Sequence, residues 1–201
     1  MKQIFKSLIT YGSDSLRLTA GYNIILQRYI YNKNIEITQG IILPEISFKW
    51  DLNRINTLNV FYNSNSEVTP YVNAINHYYF TSYNSITRGL STSFFDKHHL
   101  GAIHSLGKFN TRFFMNCKLL YTYEPRFITN YTEPTFNYSV SSDTLARNRN
   151  ILIAAIETNY FILAMRSNVK LLFSNAALEY SNYIFGISNR NKSRSSNTTL
   201  E

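Results

Sequence analysis

Cysteine, proline, glycine and charge are all scarce in this chain. A single cysteine, Cys117, among 201 residues excludes an internal disulfide. It sits in an alternating apolar set, so it reads as a packed or lipid-facing small hydrophobe. Only four prolines and seven glycines punctuate the chain, and charged residues make up 16%, which leaves few loop breakers and few solvated faces. No apolar run approaches the roughly 18 residues of a membrane-crossing helix. The opening "MKQIFKSLITYGSDS" is basic but lacks the unbroken apolar stretch and small-residue cleavage site of a signal peptide. A membrane location would therefore have to be built from strands. Export would require a signal outside this sequence, which would then be a fragment.

Chemical signatures are equally sparse. There is no Walker-type loop and no G-x-S-x-G elbow, and Glu45, Asp51, Asp96, Asp143 and Glu157 are scattered without a recurrent histidine or nucleophile. The chain is not read as an enzyme, and no catalytic, cofactor-binding or substrate-binding residue is assigned. His98, His99 and His104 suggest a metal at first sight. Strand alternation puts His98 and His104 on one face and His99 on the other, with no carboxylate or thiolate at ligand spacing, so they read as a strand end near the surface and no metal site is assigned. The net charge of +8 is dispersed, without zinc-finger, helix-turn-helix or RNP spacing. Nucleic acid is not the expected partner; anionic lipid or an anionic solute remains. The basic segments "RNRN" (147–150) and "SNRNKSRSSN" (188–197) read as external loops. The ordinary account of such loops is a solvated charged segment, and the functional one is contact with an anionic ligand or lipopolysaccharide.

What the chain has in quantity is tyrosine (16) and phenylalanine (14), placed with period 2. In "DSLRLTAGYNIILQRYI", Leu16, Leu18, Ala20, Tyr22, Ile24 and Leu26 share one parity, and polar residues mostly fill the other. The run exceeds an ordinary globular strand and suffices for the 9–11 tilted residues that cross a bilayer. In "ISFKWDLNRINTLNVFYN" both arms keep one phase. This predicts Leu52 opposite Leu58, Trp50 opposite Val60 and Phe48 opposite Tyr62, across an odd loop of Arg54-Ile55-Asn56 or five residues. In "HHLGAIHSLGKFNTRFFMNCKLLYTY" the parity flips at Gly107-Lys108. That predicts a two-residue type II′ turn with Leu106 facing Phe109, Ala102 facing Phe113 and Leu100 facing Met115, and it leaves His98 opposite Cys117. Ile151–Ile156 is continuously apolar and fits either a buried strand or a helix, while "SNVKLLFSN" alternates again.

Long polar stretches (63–79 and 124–150) separate these units and are expected to be loops. Short turns alternating with long loops, long strands, and aromatics near strand ends (Trp50, Tyr62, Tyr121, Tyr123, Tyr29, Tyr31) describe an antiparallel transmembrane β-barrel of about ten to twelve strands. A soluble β-sandwich acting as an adhesin, and a small passive pore, are the alternatives.

Four segments carry a family likeness: "ISFKWDLNRINTLNVFYN", "TPYVNAINHYYFTSYNSITRGL", "FNTRFFMNCKLLYTYEP" and "ETNYFILAMRSNVKLLFSNAALEYSNYIFG". In pattern and order they resemble the C-terminal barrel of TonB-dependent outer-membrane receptors of the Bacteroidetes type. One departure is that Leu90-Ser91-Thr92 follows Arg88-Gly89 where the family continues with Asn-Pro. The resemblance implies that residues 1–201 are one barrel domain, part of a 22-stranded wall without its plug. It also implies a bacterial outer-membrane location, contact with lipid and lipopolysaccharide, and energised uptake of an unidentified solute through a plug-borne TonB contact.

Overall fold

The computed structural model describes residues 2–31, 35–68, 78–83, 85–90, 94–107, 112–184 and 187–201. Among these residues there is no helix, and every regular element belongs to one sheet of eleven strands. Nine strands form an antiparallel meander: β1 (Lys2–Gly12), β2 (Leu16–Tyr31), β3 (Ile35–Asn53), β4 (Asn56–Val68), β7 (Phe94–Leu106), β8 (Phe113–Pro134), β9 (Ser139–Ile162), β10 (Ser167–Ile184) and β11 (Ile187–Leu200). Between β4 and β7 the chain makes a short hairpin, β5 (Tyr78–Ser82) and β6 (Ser85–Arg88). Its second arm pairs in parallel with the start of β9, Ser85 against Ser139. Among the described residues, β1 and β11 end the meander, each with one unpaired edge, and β5 is the outer strand of the side hairpin, so the sheet is open.

The two ends of the sheet differ. At the turn edge the connections are short, and neighbouring hairpins are tied sideways: Asp51 N donates to Ser15 O (2.7 Å), Gly107 N to Ile55 O (2.7 Å) and Phe161 N to Arg112 O (2.8 Å). At the loop edge the β8–β9 hairpin continues well beyond its neighbours, paired out to Pro134 and Ser139.

Several expectations are corrected. The phase across the β3–β4 hairpin is kept by a bulge at Leu52, not by an odd loop. The turn is Arg54-Ile55, and Trp50 pairs with Leu58, Phe48 with Val60 and Ile46 with Tyr62. The bulge adds the residue that an odd loop would have supplied. The β7–β8 register is slid by six residues from the tight-turn pairing: Leu106 pairs with Met115, Ala102 with Leu119, Leu100 with Tyr121, His104 with Cys117 and His98 with Tyr123. An even slide preserves every side chain's face. Leu106, Ala102 and Leu100 therefore still meet apolar partners, now Met115, Leu119 and Tyr121. Gly107 does take the positive φ expected of it (+88°), while Lys108 lies outside the described residues.

The polar stretch 124–150 is paired strand, closed by a turn at 135–138. Thr135 Oγ1 and Tyr138 cap that turn, and Thr132–Ser141 hydroxyl contacts (3.1 Å) support the ladder. "RNRN" is therefore strand, and "SNRNKSRSSN" is β11. In the stretch 63–79, residues 63–68 extend β4, residues 69–77 lie outside the described residues, and Tyr78 opens β5.

No second layer covers the sheet among the described residues. Its buried apolar side chains are few: Ile25, Leu43, Phe95, Phe127 and Ala146. Trp50, Leu100, Leu119, Leu152 and Ile156 are all exposed.

Candidate functional site

Register defines one face of the sheet. A single hydrogen-bonding row runs through all nine meander strands: Ile9, Ala20, Ile46, Tyr62, Leu100, Tyr121, Leu152, Ala177, Arg194. Rows above and below carry the rest of that face. On β2 it reads Leu16 to Leu26, on β3 Trp50 to Ile42, on β4 Leu58 to Tyr62, on β8 Phe113 to Tyr123, on β9 Tyr160 to Leu152, and on β10 Val169 to Ala177 with Asn175 as the interruption. This is one apolar belt, and much of it lies open, as Ile42 (69%), Leu100 (51%) and Leu119 (49%) illustrate. A contiguous exposed patch of this extent is the kind of surface that a partner or lipid covers.

The belt is diagonal. On β2 its midpoint lies between Ala20 and Tyr22; on β10 it lies at Phe173, about two to three rows nearer the turn edge. That is a drift of about five residues, roughly 16 Å along the strands, over six strand-to-strand steps of about 4.8 Å. The belt therefore crosses the strands at an inclination of about 30°, near the tilt of strands in membrane barrels. Leu16 to Leu26 covers about 33 Å of strand, which this inclination projects onto about 28 Å, close to the apolar band of an outer-membrane barrel.

Polar and aromatic groups gather at the rims. On the loop side, the His98 ring lies between Tyr62 and Tyr123, at centroid distances of 6.2 and 6.1 Å, and Tyr62 Oη and His98 Nδ1 are 2.9 Å apart. Tyr121 Oη donates to Asn150 Oδ1 (2.8 Å) and Tyr123 Oη to Asn148 Oδ1 (3.0 Å), so both phenols are satisfied while their rings face outward. Trp50 stands at the turn-side end of the β3 run. The side chains of Tyr29 and Tyr31 lie outside the described set.

The reverse face is polar. Lys6 donates to Glu45 (2.9 Å), which also accepts from Asn23, and Lys97 pairs with Glu67 (2.6 Å). Arg149 pairs with the buried Glu124 and lies 4.7 Å over the Phe127 ring, which meets Tyr180 edge-on. Asn148, with φ of +62°, breaks the local alternation beside this cluster. Phe61, the apolar exception on β4, covers Gly101.

The histidines divide as alternation requires. His98 and His104 face the belt side, and His99 the polar side against Thr122 (2.9 Å). His104 Nε2 is 2.7 Å from Asn56 Oδ1, and Cys117 is its cross-strand neighbour. Among the described residues no three groups of His, Cys, Asp or Glu converge as a metal site. Among the described residues no helix is long and apolar enough to cross a membrane, which says nothing about strands. The belt's inclination escaped the sequence reading because it requires inter-strand register; the period-2 runs were its legible part. No family model, no curated protein and no solved structure matches this chain.

Proposed function

We propose that this chain is part of the wall of a transmembrane β-barrel in a bacterial outer membrane, and that the barrel belongs to a TonB-dependent receptor taking up a large or scarce solute. The observation that carries the membrane reading is the diagonal belt, with a height near that of a bilayer's apolar core and aromatic rims. Lipid is the cover that such a belt fits, and the polar reverse face suits a water-filled or plugged lumen. Lateral ties at the turn edge and a projecting hairpin at the loop edge follow the same asymmetry of short inner turns and long outer loops. In this reading the outer loops capture the solute, and a plug outside this sequence supplies the gate and the contact with the energising complex.

Strand parity favours a larger barrel over a self-contained pore. Among the described residues the meander has nine members, so β1 and β11 both run from loop edge to turn edge. Joining them would make a parallel seam, whereas an antiparallel barrel closes with an even number of strands. Unpaired backbone groups on an open edge in lipid cost several kcal/mol each, so further strands are part of the proposal. The test is insertion of the chain into phospholipid vesicles, followed by carbonate extraction and electrophoresis of boiled and unboiled samples. Retention in the membrane with a heat-dependent shift is expected. A water-soluble species that migrates identically in both states would refute the membrane reading.

A further inference from the structure

The belt face changes character on β11. Where the preceding strands present leucine, isoleucine and aromatics, β11 presents Arg190, Lys192 and Arg194 at successive positions of the same face. Among the described residues Glu179 of β10 is the one carboxylate beside them, pairing with Arg190 and with Lys192 (3.6 Å). Arg194 instead donates its Nε to Asn175 Oδ1 (3.4 Å). Three cations against one carboxylate leave an excess of positive charge. Between Lys192 and Arg194 on one side and β8 on the other lies a groove of about 400 Å³, floored by Tyr121, Leu152 and Ala177. Carried one strand further, the belt's inclination puts its loop-side rim on β11 at about Arg194. Lys192 and Arg190 then stand one and two rows above the apolar core, at headgroup depth.

We infer that this cationic ladder and its apolar groove bind an anionic, phosphate-bearing lipid of the loop-side leaflet. The phosphate meets Arg194 and Lys192, and an acyl chain lies along Tyr121, Leu152 and Ala177. Charge complementarity selects the headgroup, since guanidinium and ammonium groups at the rim of an apolar band match phosphate. The continuous apolar floor selects a lipid over a free anion. The inference rests on the transmembrane reading and gives one lipid of its annulus a defined seat.

The test is native mass spectrometry of the full chain released from vesicles of mixed phosphatidylglycerol and phosphatidylcholine. Preferential retention of phosphatidylglycerol is expected, weakened about fivefold for each cation removed in the series Arg194→Gln, Lys192→Gln and Arg190→Gln. Glu179→Gln should strengthen retention by releasing its two partners, and Arg17→Gln on the polar face should change nothing. Equal retention of both lipids, or no effect of the substitutions, would overturn the inference while leaving the barrel reading intact. Displacement by millimolar inorganic phosphate would overturn the lipid assignment. Failure to enter vesicles of any composition would overturn the transmembrane reading as well.

Discussion

Ala20 and Ala177 provide a matched test of the diagonal belt. Both face the same side and lie in the same hydrogen-bonding row, six strand steps apart. If the face is bathed in water, arginine at either site is a surface substitution and costs within about 0.5 kcal/mol. If the face meets lipid and the belt is inclined by about 30°, the two sites lie at different depths. Ala20 is then near the middle of its strand's apolar run, where arginine costs about 2–4 kcal/mol. Ala177 is then at the loop-side rim, where it costs about 0–1 kcal/mol. Its cross-strand partner Arg194 adds a few tenths of a kcal/mol of like-charge repulsion, too little to close the gap. Urea titration of chain inserted in vesicles, followed through the lone tryptophan, measures both costs. The expected difference is about 2–3 kcal/mol with Ala20→Arg the worse. Two costs equal within about 0.5 kcal/mol would refute the inclined belt, and two costs near zero would refute lipid contact altogether.

Trp50 is the chain's one tryptophan and stands at the turn-side end of its strand's apolar run, so shallow nitroxide lipids should quench its fluorescence more than deep ones; stronger deep quenching would displace the rim. Gly101 lies under Phe61, where a methyl group would sit 2.3 Å from the ring's Cζ. Gly101→Ala is expected to destabilise by about 1–3 kcal/mol alone and by much less in a Phe61→Ala background, so additive costs in a double-mutant cycle would refute that packing. Arg149→Met strands the buried Glu124 carboxylate and should cost about 2 kcal/mol or more, whereas the pair Arg149→Met with Glu124→Gln should recover much of it. Chemical denaturation of the single and the double variant checks this, and a double variant no better than the single would count against the ion pair's role.

The alternating runs on β2, β3, β8 and β10 were legible in the sequence because strand alternation is a property of the backbone itself: one residue in, the next out. Face assignment followed directly, and the division of His98 and His104 from His99 came with it. Register was legible only in parity. The Leu52 bulge and the six-residue slide of β7 against β8 both preserve parity, so no pattern along one strand could reveal them. Polarity also misled, since 124–150 and β11 contain few large apolar residues yet pair as strands. Their ladders rest on backbone hydrogen bonds and hydroxyl or amide contacts that composition does not display.

From sequence alone came the all-β character, the identity of the apolar face and the absence of recognisable catalytic motifs, because each depends on residue type and local spacing. Tertiary structure alone decided the belt's inclination, the parity of the meander, the polar lining of the reverse face and the convergence of Lys192 and Arg194 on the rim of the groove. These depend on how strands distant in sequence align, and that alignment is set by the summed match of many side chains across the sheet.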